Sequence, residues 1–261
     1  LGLVGSEMCI RDRSCSTMRP SRSPGAPRRH RIRRACWCVL ALTGATALSA
    51  CTSEPPPLHE VWPDVSHKVE HAESVKITAE VSQDGQQTAL ELAGALDDSN
   101  YSGLVAEDKA HVEVRSVDGT TYLRANETFR HSRGGETFQD VDTERWIPMA
   151  SEQDSGFAMS TFYGSFTAAL PSDDAFADKQ VEATTVRIDG QRVYKYSDVD
   201  TSQAEVALFI DEDDTLVRLE VDRDDDAPRS QLEGTIDFTE WNAVDDVEAP
   251  SGDAVYRRSE R

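Results

Sequence analysis

Two stretches of this 261-residue chain have the residue types and spacing of metal or acid–base chemistry. His67-Lys68-Val69-Glu70-His71 matches H-x-x-E-H, in which two histidines hold zinc and the glutamate serves as base. Read on a helix, both imidazoles point away from the apolar stripe of Val65, Val69 and Ala72, so a solvated helix face is expected. Asp222-Arg223-Asp224-Asp225-Asp226-Ala227, with Glu233 twelfth, places acids at positions 1, 3, 5 and 12 of a calcium loop. Ala227 stands where the turn glycine belongs, Pro228 follows, and the flanks read as strands; a solvated hairpin turn is expected. Nucleophile elbows, phosphate loops and dinucleotide fingerprints are absent. His111 and His131 have no obvious partners, and the sequon at Asn126 has no evident use. The chain is expected to be no enzyme and to carry no metal or cofactor.

The strongest chemical signal is a single cysteine. A basic block, Arg28 to Arg34, precedes an apolar run from Ala35 to Ala50, and Leu48-Ser49-Ala50-Cys51 closes it. Charged region, short apolar region and small residues at a cut site are the order of a secretory signal. Leu-Ser-Ala-Cys resembles the bacterial lipobox, which implies acylation of Cys51 as the first residue of the processed chain. The apolar run falls short of the roughly 20 residues that a membrane span needs. The expected location is the extracytoplasmic face of a cell membrane, with the body anchored through lipid on Cys51.

The remaining composition agrees with export of a single body. Val4 to Arg13 reads as translated adapter sequence, so residues 1–17 are set apart, with 18–50 as the signal and Met18 as a start. Cleavage before Cys51 leaves 211 residues, enough for one domain with a sizeable core. Cys9, Cys15, Cys36 and Cys38 all precede the cut. The body therefore has no disulfide and no spare thiol, and must be held by packing alone. From Cys51 onward there are 18 basic and 46 acidic residues, a formal charge of −28. Such a surface repels nucleic acid and anionic headgroups, so no nucleic-acid partner is expected. A monomer is expected.

The elements that would position any site follow from periodicity. Residues 51–60 comprise the acylated cysteine and a Pro-rich tether. A short helix is predicted over 63–73, with Trp62, Val65, Val69 and Ala72 on one face. Period-two alternation then begins at Val75, and Asp84-Gly85, Asp118-Gly119 and Asp189-Gly190 are hairpin signals. About ten strands are predicted between Val75 and Phe238. A helix capped by Asp154 or Ser155 runs to Leu170, with Met159, Phe162, Tyr163 and Phe166 as its aromatic stripe. The fold class is α+β, dominated by a curved antiparallel sheet, with one domain over 61–250 and a disordered tail over 251–261. Such a stripe ordinarily packs as core. On a sheet that curls without closing it can instead line an apolar cavity. The lining residues would be Tyr122, Trp146, Met159, Phe162 and Phe166.

The order of several short pieces resembles actinobacterial lipoproteins of the LppX/LprA/LprG type. After the lipobox come Ser74–Thr78, Val112–Arg115 ahead of Asp118–Leu123, Trp146-Ile147-Pro148, Val193-Tyr194, and Gly234–Trp241 followed by Ala249-Pro250. The resemblance implies a LolA-like half-barrel with helices on its concave side. It also implies carriage of a lipid or glycolipid across the envelope, with no catalysis. The alternative is an interaction or scaffold module with a filled core and no cargo.

Overall fold

The computed structural model describes residues 54–83, 85–132, 141–149, 157–168, 170–172, 174–201, 204–221 and 233–257. Cys51 and residues 222–232 of the acidic loop lie outside them. Among the described residues, no helix is long and apolar enough to cross a membrane.

The chain opens with α1 (Leu58–Glu70), then runs β1 (Ser74–Gln83), β2 (Gln86–Ala95), β3 (Asn100–Glu107), β4 (Ala110–Val117) and β5 (Thr120–Ala125). Helix α2 (Glu127–Ser132), strand β6 (Ile147–Met149) and helix α3 (Met159–Thr167) fill the middle. The strands β7 (Ala183–Ile188), β8 (Gln191–Asp200), β9 (Glu205–Asp211), β10 (Leu216–Val221) and β11 (Glu233–Thr239) complete it. All eleven form one antiparallel sheet in the order β6-β5-β4-β3-β2-β1-β11-β10-β9-β8-β7. The sheet is two meanders joined at a seam between the first strand and the last, Lys76 to Ser82 against Glu233 to Thr239. It does not close, since β6 and β7 stand at opposite edges.

Local chemistry explains the hairpins. Asp118-Gly119 and Asp189-Gly190 have positive φ at both positions, 51° and 75° and then 50° and 85°. That is the two-residue turn whose twist matches the flanking strands. Helix α1 starts five residues earlier than the predicted helix and takes Leu58–Glu60 from the expected tether. Pro63 lies inside it and offers no N–H to the carbonyl of His59, a residue that is solvent-exposed. The burial of Leu58 and Val61 beside Trp62, Val65 and Val69 outweighs that missing bond.

Alternation divides the sheet into two unlike faces. Val75, Ile77, Leu92, Val112, Val114, Leu123, Tyr196, Leu208 and Phe238 belong to one apolar cluster that also holds the buried faces of α1 and α3. The sheet curls around these helices, and this is its inner face. The outer face carries cross-strand ion pairs: Lys76–Glu91 at 3.0 Å, Lys195–Glu220 at 3.3 Å, and two-pronged Arg124–Glu113 and Arg218–Asp237 pairs. Each such pair supplies roughly 0.2–1 kcal/mol. A smaller outer cluster of Val193, Ala207 and Phe209 lies under Lys195, whose Nζ is 5.2 Å from the Phe209 ring centre.

Beyond β11 the chain remains tied to the sheet. Asn242 Oδ1 accepts from Glu73 N at 2.7 Å, and Asn100 exchanges two hydrogen bonds with Val247. Trp146 N donates to Ala254 O and Tyr256 N to Trp146 O, at 2.9 and 2.8 Å. Residues 251–257, expected as part of a disordered tail, thus flank Trp146 beside the β6 edge.

Candidate functional site

The helix-covered inner face gathers the most aromatic side chains. Helix α3 has no capping side chain of its own, because Ala158 precedes it. Asp98, in the turn between β2 and β3 at φ 64°, takes that place from 62 residues away. Its carboxylate accepts from Ser160 N at 2.9 Å and from Ser160 Oγ at 2.5 Å. An acid at a helix N-terminus satisfies a free N–H and complements the helix dipole. Farther along α3, Tyr163 donates its hydroxyl to Val69 O at 2.6 Å and so ties α3 to the last turn of α1.

The stripe of α3 rests on an aromatic wall from the end of the sheet. Phe166 lies 4.6 Å from Phe238, ring centre to ring centre, and Phe238 stacks with Trp241 at 5.7 Å. Tyr163 meets Trp241 at 6.3 Å, and Trp241 donates from Nε1 to Leu216 O at 2.9 Å. On α1, Trp62 is fully buried, meets Phe176 edge-on at 5.6 Å, and donates to Pro171 O at 3.3 Å. Met159 is fully buried as well. Phe162, Phe166, Phe129, Phe157 and Leu170 are half-buried against this core.

The structure brings together three of the five expected lining residues and separates the other two. Met159, Phe162 and Phe166 share the inner face. Tyr122 and Trp146 are on the outer face. Leu123 and Ala125 take the inner positions of β5, so alternation turns Tyr122 outward. The Trp146 ring lies between the guanidiniums of Arg115 and Arg124, at 4.9 and 4.7 Å from its centre. It borders an outer-face groove of about 500 Å³ with Leu104, His111 and Glu113. Trp62 is buried with Val65 and Val69 on one face of α1, as its spacing predicts, whereas Phe176 and the cap Asp98 stand out by no motif in the sequence. Phe176 carries no local signal, since its burial depends on α1.

His67 on α1 and His71, which caps the C-terminus of that helix, are exposed, with ring centres 4.1 Å apart. His71 Nδ1 is 2.9 Å from His67 O. Among the described residues no three metal-ligating side chains converge. Asn126 has a structural use, with its Oδ1 accepting from Phe129 N at 2.9 Å at the start of α2.

Two buried phenols give the inner face a pH response. Tyr196 donates to Pro56 O at 2.9 Å, and burial holds both Tyr163 and Tyr196 protonated above the ordinary tyrosine range. In the unfolded chain both would titrate near pH 10. The folded state therefore keeps protons that the unfolded state releases. Their contribution is complete below about pH 10 and is lost as pH rises above it. Urea midpoints should be level from pH 8 to 9.5 and drop above 10. A Tyr163→Phe, Tyr196→Phe double variant should lose most of that slope.

An open antiparallel half-barrel wrapped on helices is the architecture that the sequence resemblance implied. No protein-family model matches the chain, and no curated protein sequence matches it. Among solved structures, the chain is similar to the Mycobacterium tuberculosis lipoprotein LppX, at 12% identity and a TM-score of 0.40, over 71% of this chain and 94% of that one. It is also similar to MucB, at 16% identity and a TM-score of 0.33, over 76% of this chain and 63% of MucB. A putative outer membrane lipoprotein-sorting protein domain from Vibrio parahaemolyticus matches at 10% identity and a TM-score of 0.20, over 69% and 89% of the two chains.

Proposed function

We propose that this chain is a lipoprotein anchored through Cys51 at the extracytoplasmic face of a membrane, whose half-barrel binds an apolar, lipid-like ligand without catalysis. The observation that carries the binding role is the half-buried apolar border of the inner face. Phe129, Phe157, Phe162, Phe166 and Leu170 pack against the core yet keep part of their surface open. A ligand with an acyl chain would extend that core and cover what the helices leave bare. The anchoring role rests on Leu48-Ser49-Ala50-Cys51 and its basic and apolar flanks.

A second reading, an envelope interaction module without cargo, is favoured by the complete burial of Trp62, Met159 and Phe176. In that case the inner face is already filled by its own side chains.

Expression with the leader intact, followed by membrane fractionation and native mass spectrometry, separates the two. The expected result is a membrane-bound chain that moves to the soluble fraction on Cys51→Ala and carries lipid at near-stoichiometric level. Phe162→Ser with Phe166→Ser should reduce that lipid severalfold. No recovered lipid, together with no saturable binding of a fluorescent fatty acid, would overturn the carrier reading and leave the module.

A further inference from the structure

We infer that the outer-face groove over β2, β3 and β4 is a second binding site, which takes a small apolar carboxylate with its charged end on Arg115. The site is separate from the inner face and does not depend on the reading above.

The groove follows from which residues alternate outward. The pairing of the three strands sets up three outward rows: Ala93–Ser102–Arg115, Glu91–Leu104–Glu113 and Ala89–Ala106–His111. Small side chains at Ala93, Ser102 and Ala106 leave hollows on both sides of Leu104. At 38%, Leu104 is the most exposed large apolar side chain among the described residues. The open volume is about 500 Å³, the size of a small-molecule site.

The charges around the groove are not equivalent. Glu91 is neutralised by Lys76 at 3.0 Å, and Glu113 is held by both prongs of Arg124. Arg115 is the cation left over. Among the described residues it forms no ion pair with a carboxylate, and its Nη1 donates to Glu248 O at 3.3 Å. Stacking on Trp146, 4.9 Å from the ring centre, uses the flat face of the guanidinium and holds it in place. The N–H groups of a guanidinium point outward in its plane, where a carboxylate can take two of them side by side. Arg115 is half-buried, so its donors are partly shielded from water. The negative charge of the body opposes an anion at long range, but salt screens it beyond about 8 Å. The groups nearest the groove therefore decide.

The apolar part of the ligand runs from Arg115 over Ser102 and Leu104 toward Ala106. Arg115 and His111 are four residues apart on β4, a span of roughly 13 Å. That length suits a single ring or a short chain.

Hydrocinnamate is the probe, with hydrocinnamyl alcohol as its neutral match. Amide resonances of Leu104 and Arg115 are followed in proton–nitrogen correlation spectra as the purified chain is titrated with each. The expected result is a saturable shift with the acid and an affinity for the alcohol lower by about tenfold or more, the size of a lost charged hydrogen bond. Arg115→Gln should weaken the acid to the same degree. Because that variant also removes a cation from the Trp146 ring, Ser102→Leu is the second test. It fills the hollow, keeps Arg115, and should weaken the acid severalfold. Lys195→Gln, on the outer face of β8, should bind the acid as the parent does. Equal binding of acid and alcohol, or a Ser102→Leu variant that binds like the parent, would overturn the site. An acid affinity that falls with Phe162→Ser and Phe166→Ser but not with Arg115→Gln would move the probe to the inner face and overturn it too. Absence of any saturable shift would overturn it outright.

Discussion

Trp62→Ala is expected to destabilise the domain by about 3–5 kcal/mol, the range for emptying a fully buried aromatic site. The site has little means of collapse. Trp62 sits on α1 between Val61 and Val65, with the inner face of the sheet beneath and the Phe176 ring edge-on at 5.6 Å. Removing the indole also orphans the carbonyl of Pro171 and frees the segment that leads from α3 to β7. Since stabilities of single domains run from about 5 to 15 kcal/mol, such a loss takes a large share of the total. Urea unfolding followed by far-ultraviolet circular dichroism would measure it. Trp62→Phe should recover more than half of the loss by refilling most of the volume without the N–H donor. A midpoint shift below about 1 kcal/mol for the alanine variant would mean that α1 is not integral to the core.

Gly234→Ala is expected to be at least as damaging, by a different route. Gly234 lies in β11 opposite Val81, on the seam that unites the two meanders. Its φ is 143°, and a Cβ there would run into the carbonyl oxygen of Glu80 and the Cα of Val81. The obstacles are backbone atoms of a central strand, which cannot rotate aside as a side chain can. Backbone strain alone costs about 1–3 kcal/mol, and separating β1 from β11 adds lost ladder bonds. We expect several kcal/mol in all, with poor recovery of folded protein. Gly119→Ala is the control: its φ is 75° in a hairpin turn, but nothing lies within 4 Å of a new Cβ. Its cost should stay near the 1–2 kcal/mol of a left-handed alanine. Similar losses at both positions would remove the seam from the account.

These two variants also mark what could be read in advance. Asp118-Gly119 and Asp189-Gly190 announced their hairpins because turn chemistry is written in adjacent residues. The stripe Met159, Phe162, Tyr163 and Phe166 announced a helix for the same reason. The seam was not legible, since Ser74–Gln83 and Glu233–Thr239 are far apart in the chain and each reads as an ordinary alternating strand. Nor was the start of α1, where Pro63 looked like a first helical residue although Leu58 and Val61 bury ahead of it. The outward placement of Tyr122 has a sharper lesson. Alternation shows that Tyr122 and Leu123 take opposite faces, but which one goes inside depends on the neighbouring strand, where Val112 and Val114 face the core.

The seam has a consequence for how such a chain is made. When the protein emerges N-terminus first, β1 to β5 can pair in order as they appear, each with the strand before it. The far edge of β1 has no partner until β11 arrives near the end. An unpaired strand edge invites pairing with other chains. The last described strand is thus the one that seals the oldest exposed edge, and the sheet is complete only once that strand has been delivered. Loss of a few residues from that late strand would harm this protein more than an equal loss from either outer edge of the sheet.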